Sequence, residues 1–205
     1  MNVKLFSALL AAYLLGSVSF GYLAGKLLKG IDIRQFGSGN AGTTNIQRTL
    51  GTGPAVVVLV LDVGKGLAAV LLAKALGVGP IWQMLAGMAA VAGHNWPVFF
   101  GFRGGRGIAT TIGVFIGLVP AVMLIAAIFG IITVALTRYV SLGSIVGALT
   151  VPFSMLLLRQ PPAFAIPGTF MAIVAVWRHR DNIKRLLRGT EHKLGEKVNI
   201  KNEGK

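Results

Sequence analysis

The chain has 205 residues, 54% of them hydrophobic and 13% charged, with 20 Lys+Arg against 6 Asp+Glu for a formal charge of +14, and a mean hydropathy of +0.74. A soluble domain carries about 25% charged residues, so long apolar runs with so few charges specify an integral membrane protein rather than a soluble one. There is no cysteine, which excludes disulfides, thiolate metal sites and acyl-thioester intermediates on the chain.

The first apolar run, 6–28, is too long for a signal-peptide core and has no clear cleavage site, so it reads as a retained first helix. Gly16, Ser17, Gly21 and Gly25 recur along it at roughly helical spacing, and small residues let another helix approach closely. A polar, glycine-rich loop is expected over 30–53. The second span, 54–76, is interrupted by Asp62 and Lys65, and 77–80 is a tight turn. A short third span, 81–93, precedes a loop at 94–106. Spans four to seven are expected at 107–119, 121–137, 143–158 and 163–177, punctuated by Pro120, Arg138 and the pair Pro161–Pro162. Several are nearer about 15 residues than the ~20 of an upright crossing, so spans three and four are a candidate re-entrant or broken pair. Five, six and seven spans are all open. The reading adopted is an all-α polytopic bundle of about seven transmembrane helices, some short or broken.

In that arrangement Arg34, Arg48, Arg103, Arg106, Arg138 and most of the tail from Arg178 fall on one side, while Lys4 and Arg159 fall on the other. The positive-inside rule then expects the N-terminus outside and the C-terminus in the cytoplasm. Every polar cluster collects on the basic side. Cations placed between apolar runs fit a membrane face and anionic ligands better than nucleic acid.

Five clusters carry candidate chemistry. In "DIRQFGSGNAGTTNIQRTLG" (32–51), glycines 37, 39 and 42 match G-x-G-x-x-G, but no strand precedes them and no βαβ unit surrounds them. What remains is Ser38, Asn40, Thr43, Thr44 and Asn45 between Arg34 and Arg48, a donor set suited to an oxyanion or, more simply, to capping helices. In "DVGKG" (62–66), Asp62 and Lys65 share a helical face, and an unpaired charge in hydrocarbon costs about 2.5 kcal/mol or more. Either the two neutralise each other and brace the bundle, or Lys65 reaches a bound phosphate. In "GHNWPVFFGFRGGRGIATT" (93–111), Gly104, Gly105 and Gly107 leave backbone N–H groups free to close on an anion, Arg103 and Arg106 add charge, and a helix begins at Gly107. The alternative is a pair of stop-transfer arginines with hinge glycines. In "TRYVSLGS" (137–144), Arg138, Ser141 and Ser144 read as a cap and an anchor. "WRHRDNIKRLLRGTEHK" (177–193) reads as a basic amphipathic helix with Ile183, Leu186 and Leu187 on one face, His179 at the membrane boundary as a proton carrier or structural ring, and Glu191 as a brace.

Other chemistry is missing. No His-x-x-x-x-Asp dyad, no close carboxylate pair for a metal and no Ser-His-Asp set is evident. A site of oxyanion holders without a protein base is what the residues leave.

The segments "GSGNAGTTN" with its following "RT", "DVGKG", "GHNWPVFFGFRGGRGIAT" and "RHRDNIKRLLRGTE", in this order over about residues 13–191, resemble the bacterial membrane acyl-phosphate:glycerol-3-phosphate 1-O-acyltransferase family. The resemblance implies one membrane-embedded catalytic domain over 1–193, a polar tail over 194–205, and an inner-membrane enzyme whose active site faces the cytoplasm. It implies transfer of an acyl group from acyl phosphate to glycerol 3-phosphate, giving lysophosphatidic acid and inorganic phosphate, the first step of phospholipid synthesis. No cofactor, coenzyme A, ATP or metal is implied, and membrane lipids are the expected partners. Ser38, Arg48, His179 and Asn182 are implied as catalytic. Together with the residue-level reading, Gly39, Asn40, Thr44, Asn45, Lys65, Arg103, Gly104, Gly105, Arg106, Gly107 and Ser141 are expected to bind substrate, with Asp62 and Glu191 structural. The family usually has lysines where Arg103 and Arg106 stand, and Gly-Asn-Pro-Gly-Ala-Thr-Asn where residues 39–45 read GNAGTTN. The rival readings are a small transporter of a phosphorylated solute, with Asp62, Lys65 and the broken spans as its pathway, and a non-catalytic binder of anionic lipid led by the basic tail.

Overall fold

A computed structural model of the chain describes residues 3–197, and every regular element among them is a helix. In order these are α1 (Val3–Gly16), α2 (Phe20–Lys29), α3 (Thr43–Leu50), α4 (Thr52–Ala75), α5 (Pro80–Asn95), α6 (Ile108–Leu118), α7 (Pro120–Thr137), α8 (Val140–Leu157), α9 (Pro162–Arg178) and α10 (Arg180–Leu187), with 3-10 turns at Ile33–Gln35 and Val98–Phe100. Proline at the first position starts α5, α7 and α9, where its fixed φ suits a helix and its missing N–H costs nothing. The bundle turns apolar side chains outward: Leu136 and Leu156 are each 80% exposed and Phe153 73%. That is the surface of a protein whose solvent is lipid.

Val3–Lys29, Thr52–Ala75, Pro120–Thr137 and Val140–Leu157 are long and apolar enough to cross a membrane by length and composition. The expected spans three, four and seven are helices of 16, 11 and 17 residues. At about 1.5 Å per residue, α6 is roughly 16 Å long against a hydrocarbon core of about 30 Å.

Five boundaries differ from expectation. The first span is two helices, broken at 17–19. The Ser17 hydroxyl bonds back to the Tyr13 carbonyl at 2.9 Å, and the Val18 carbonyl freed by the break accepts from Lys65 Nζ at 2.7 Å. The loop expected over 30–53 contains α3, whose Asn45, Ile46 and Arg48 point inward and whose eight residues are too polar to signal a span. Helix α5 continues through His94, and α8 begins at Val140, so that His94, Ser141 and Ser144 stand on helices. The basic helix expected over 177–193 is helical only as α10, over eight residues. Past it, Leu194 donates its N–H to the Arg138 carbonyl at 2.7 Å and accepts from Arg138 Nη2 at 3.0 Å. The tail expected over 194–205 lies outside the described residues from 198 onward.

The small residues of the first span serve close approach, as their spacing suggested. A Cβ on Gly16 would collide with the Ala90 carbonyl of α5, and one on Gly93 with the Tyr13 carbonyl of α1. Helices α4 and α6 make the same reciprocal contact through Gly66 against Thr110 and Gly113 against Val63. Backbones that touch in this way hold helices together where lipid supplies no hydrophobic drive. The central core is Phe115, Val114, Met84 and Met155, each at most 1% exposed.

The Asp62–Lys65 pair forms at 2.8 Å with both side chains 1% exposed. Removing one partner strands the other charge, a loss of about 3–5 kcal/mol, while replacing both by apolar or neutral groups is often tolerated. Lys65→Met should therefore lower the thermal midpoint in detergent sharply, and Asp62→Asn combined with Lys65→Met should recover more than half of that loss. Additive single losses would show that the pair does not brace the bundle.

Candidate active site

The polar segments of the basic face meet at one cavity of about 280 Å³, lined by Ser38, Asn40, Gly42, Thr43, Thr44, Asn45, Leu59, Asp62, His94, Arg106, Gly107, Ile108, Ala109, Ile112, Val140, Ser144 and His179. One wall is the loop leading into α3. It is wound around Asn45, which is 1% exposed. Asn45 Nδ2 donates to the carbonyls of Ile33 and Phe36 at 3.1 and 3.0 Å, and its Oδ1 accepts the Ser38 N–H at 2.9 Å. Asn40 Oδ1 accepts the Gly42 N–H at 2.8 Å, a local turn that aims the start of α3 at the cavity.

The floor is charged. Asp62 Oδ1 lies 2.8 Å from Lys65 Nζ and 3.4 Å from His94 Nδ1. His94 in turn supports the glycine-rich loop. Its carbonyl accepts the Gly105 N–H at 3.0 Å, and its ring fills the space that a Gly105 side chain would need. Arg178 Nη2 holds the Gly105 carbonyl at 2.6 Å. Gly107 then adopts φ +86° and opens α6, a left-handed conformation that favours glycine and turns the helix N-terminus to the cavity. Arg34 latches this loop to the first wall. Its guanidinium holds Asp32 at 2.8 Å, the Phe100 carbonyl at 2.7 Å and the Arg103 carbonyl at 3.3 Å, and lies 4.8 Å from the centre of the Tyr22 ring. Hydrogen bonding to Arg34 holds the Asp32 carboxyl below its usual range against the opposing effect of burial.

The rim comes from α8, α9 and the segment after α10. His179 is 3% exposed, and its Nδ1 lies 2.8 Å from the Ala175 carbonyl. A carbonyl can only accept, so Nδ1 carries the proton and Nε2 is free to accept. Burial pushes the imidazole pKa down to about 4, so the ring is neutral at physiological pH. Behind it, Glu191 gathers Asn182 Nδ2 at 2.9 Å, Ser141 Oγ at 3.1 Å and Arg185 Nε at 2.6 Å. Burial alone would raise its carboxyl, but these donors outweigh burial and hold it below the usual range. Arg48 Nη2 donates to the His192 carbonyl at 3.1 Å, tying α3 to the same segment. Arg106 projects into the cavity. Burial, then repulsion from Arg185, brings its guanidinium down to about 10, which still leaves it charged.

An apolar groove of about 190 Å³ adjoins the cavity between α6, α7, α8 and α9. The two share Ile108, Ile112, Val140 and Ser144, and the groove extends along Met123, Ala126, Gly130 and Val151. One side of the shared wall is therefore polar and carries Arg106, and the other is apolar.

Of the residues singled out in the sequence, Ser38, Asn40, Thr44, Asn45, Asp62, Arg106, Gly107 and His179 share the cavity wall. Lys65 is turned from it to the Val18 carbonyl. Gly39 makes an exposed turn at φ +67°, and Arg103 is exposed. Gly104 and Gly105 pack on His94 behind the wall. Arg48, Ser141, Asn182 and Glu191 form the support under the rim. His94 and Ser144 line the cavity without having been picked as site residues. Asp62 and His94 are separated by 31 intervening positions, so no local spacing reveals their contact.

Comparison with known proteins places this arrangement. A family model described as "Glycerol-3-phosphate acyltransferase" matches residues 6–189. The chain is 50% identical to the glycerol-3-phosphate acyltransferase of Shouchella clausii (strain KSM-K16) over 203 residues, 96% of this chain and 99% of that one. It is 50% identical to the enzyme of the same name from Synechococcus sp. (strain CC9902) over 185 residues, 90% of this chain and 92% of that one. Among solved structures it is similar to PlsY (YgiH), an integral membrane glycerol 3-phosphate acyltransferase. Its glycerol 3-phosphate form superposes with a TM-score of 0.89 at 39% identity, covering 95% of this chain and 96% of that one. Its lysophosphatidic acid form gives 0.86 at the same identity. The chain belongs to the glycerol-3-phosphate acyltransferase family.

Proposed function

We propose that this chain transfers a fatty acyl group from acyl phosphate to the 1-hydroxyl of glycerol 3-phosphate, releasing lysophosphatidic acid and inorganic phosphate, at the cytoplasmic face of a bacterial inner membrane. The observation that carries this reading is the contiguity of a polar cavity that holds the Arg106 guanidinium and an apolar groove, which share four lining residues. A water-borne phosphate and a lipid-borne acyl chain meet there without either leaving its own solvent. The names of the relatives supply the acceptor. The positive-inside rule supplies the side, since Arg34, Arg48, Arg103, Arg106 and Arg138 share one face of a seven-span arrangement.

In this reading the N–H groups at the start of α6, Arg106 and the donors of 38–45 hold the phosphate oxygens. Ser38 and the neutral His179 border the glycerol hydroxyls, and Arg48 and Asn182 act from behind through α3 and Glu191. The acyl chain lies along Ile112, Ala126 and Val151. The 1-hydroxyl oxygen bonds to the acyl carbon, the carbon–oxygen bond to phosphate breaks, and the departing phosphate takes the hydroxyl proton. Acyl phosphate is already activated, so the protein's task is to bring two anions together in a low-dielectric cup, where its fixed cations are worth more than in water. Asp62 is committed to Lys65 and does not serve as the base.

Purified protein in detergent, with no sealed compartment, should form lysophosphatidic acid from acyl phosphate and radiolabelled glycerol 3-phosphate; absence of product there would favour the transporter. Acyl-coenzyme A in place of acyl phosphate should give none. Arg106→Gln should raise the KM for glycerol 3-phosphate about 10–100-fold, the loss of one charged hydrogen-bonding group, with a smaller effect on the KM for acyl phosphate. His179→Ala should lower kcat roughly 10²-fold. A ring neutral down to pH ~4 contributes no titration step between about pH 5.5 and 8, so a step near 6.5 that vanishes in His179→Ala would contradict the neutral role.

A further inference from the structure

A second groove, between α5 and α9, shares no lining residue with the cavity described above. It measures about 320 Å³ and is lined by Met88, Ala92, Asn95 and Trp96 of the α5 end and by Phe170 and Val174 of α9, among others. Residues 88, 92 and 96 form one row at i, i+4 spacing, and 170, 174 and 178 form another, so both rows run in the same direction toward the basic face. Each is about 12 Å long at 1.5 Å per residue. The deep end is Met88 and Phe170. The shallow end is Trp96, with the Arg178 guanidinium 5.4 Å from its ring centre. Arg178 Nε has no acceptor among the described residues. The groove is apolar along its length, with a guanidinium against the ring at its shallow end, an arrangement that suits an acyl chain ending in an anionic head.

We infer that this groove binds an anionic glycerophospholipid of the surrounding bilayer, with its chain between α5 and α9 and its phosphate at Arg178. Arg178 also holds the Gly105 carbonyl at 2.6 Å. A lipid phosphate drawn to that guanidinium competes for the group that fixes the glycine-rich loop, so the bilayer's anionic content is coupled to the first site.

The test uses the full chain with Trp82→Phe and Trp177→Phe, which leaves Trp96 as the single tryptophan of the three. It is reconstituted in phosphatidylcholine nanodiscs doped with equal mole fractions of phosphatidylglycerol or phosphatidylcholine brominated on the acyl chain. Quenching of Trp96 should be half-maximal at about fivefold less brominated phosphatidylglycerol than brominated phosphatidylcholine, the preference one cation gives near a membrane. Arg178→Gln should remove that preference, and Arg178→Lys should keep most of it. Should Arg178→Gln not fold, the unaltered reporter still decides, because the preference must shrink as added salt screens the headgroup. Equal quenching by the two lipids, a preference that survives Arg178→Gln or is insensitive to salt, or its loss on adding inorganic phosphate alone would each overturn the inference. Because the readout is binding, it stands apart from whether the chain transfers acyl groups.

Discussion

A lysine ammonium in the apolar length of α4 is the constraint from which the site is built. Lys65 cannot remain charged there unless its donors are met, and the structure meets them twice, with Asp62 and with the Val18 carbonyl. The second contact fixes the break between α1 and α2, because a carbonyl released from its helix in lipid needs a donor. The first leaves Asp62 facing His94, whose carbonyl and ring carry the glycine-rich loop. One ion pair thus sets the arm on one side of the cavity and the loop on the other.

The rim follows the same logic with the signs exchanged. Arg48, Arg106 and Arg185 stand within electrostatic reach of one carboxylate, Glu191, which takes hydrogen bonds from Asn182, Ser141 and Arg185. Six acids against twenty cations leave the region short of negative charge, and anions from outside can make up the difference. Charge that the protein does not neutralise itself is available to anionic ligands.

The apolar segments were legible because hydropathy and the prolines at 80, 120 and 162 mark their ends directly. The break at 17–19 was not, since the lysine that answers its freed carbonyl, Lys65, lies elsewhere in the chain. Helix α3 was hidden by its polarity; it folds by burying one face under α2 and α4 rather than by spanning. At the site, Ser38, Asn40, Thr44, Asn45, Arg106 and Gly107 were readable as donors and bare backbone on one loop or another. What spacing did not tell is which polar residues face the cavity and which stand behind it. Ser141 and Ser144 are three apart on α8, yet Ser141 turns to Glu191 while Ser144 faces the cavity. That choice depends on where a segment 50 residues later returns, which no local pattern encodes.

The brevity of α6 has a topographic consequence. With eleven residues it is less than half the length of the 24-residue α4, so it cannot by itself reach from one headgroup layer to the other. One of its ends must meet the rest of the protein inside the hydrocarbon slab, and the end that borders the cavity through Gly107 and Ile108 has the polar residues of 38–45 on the same wall.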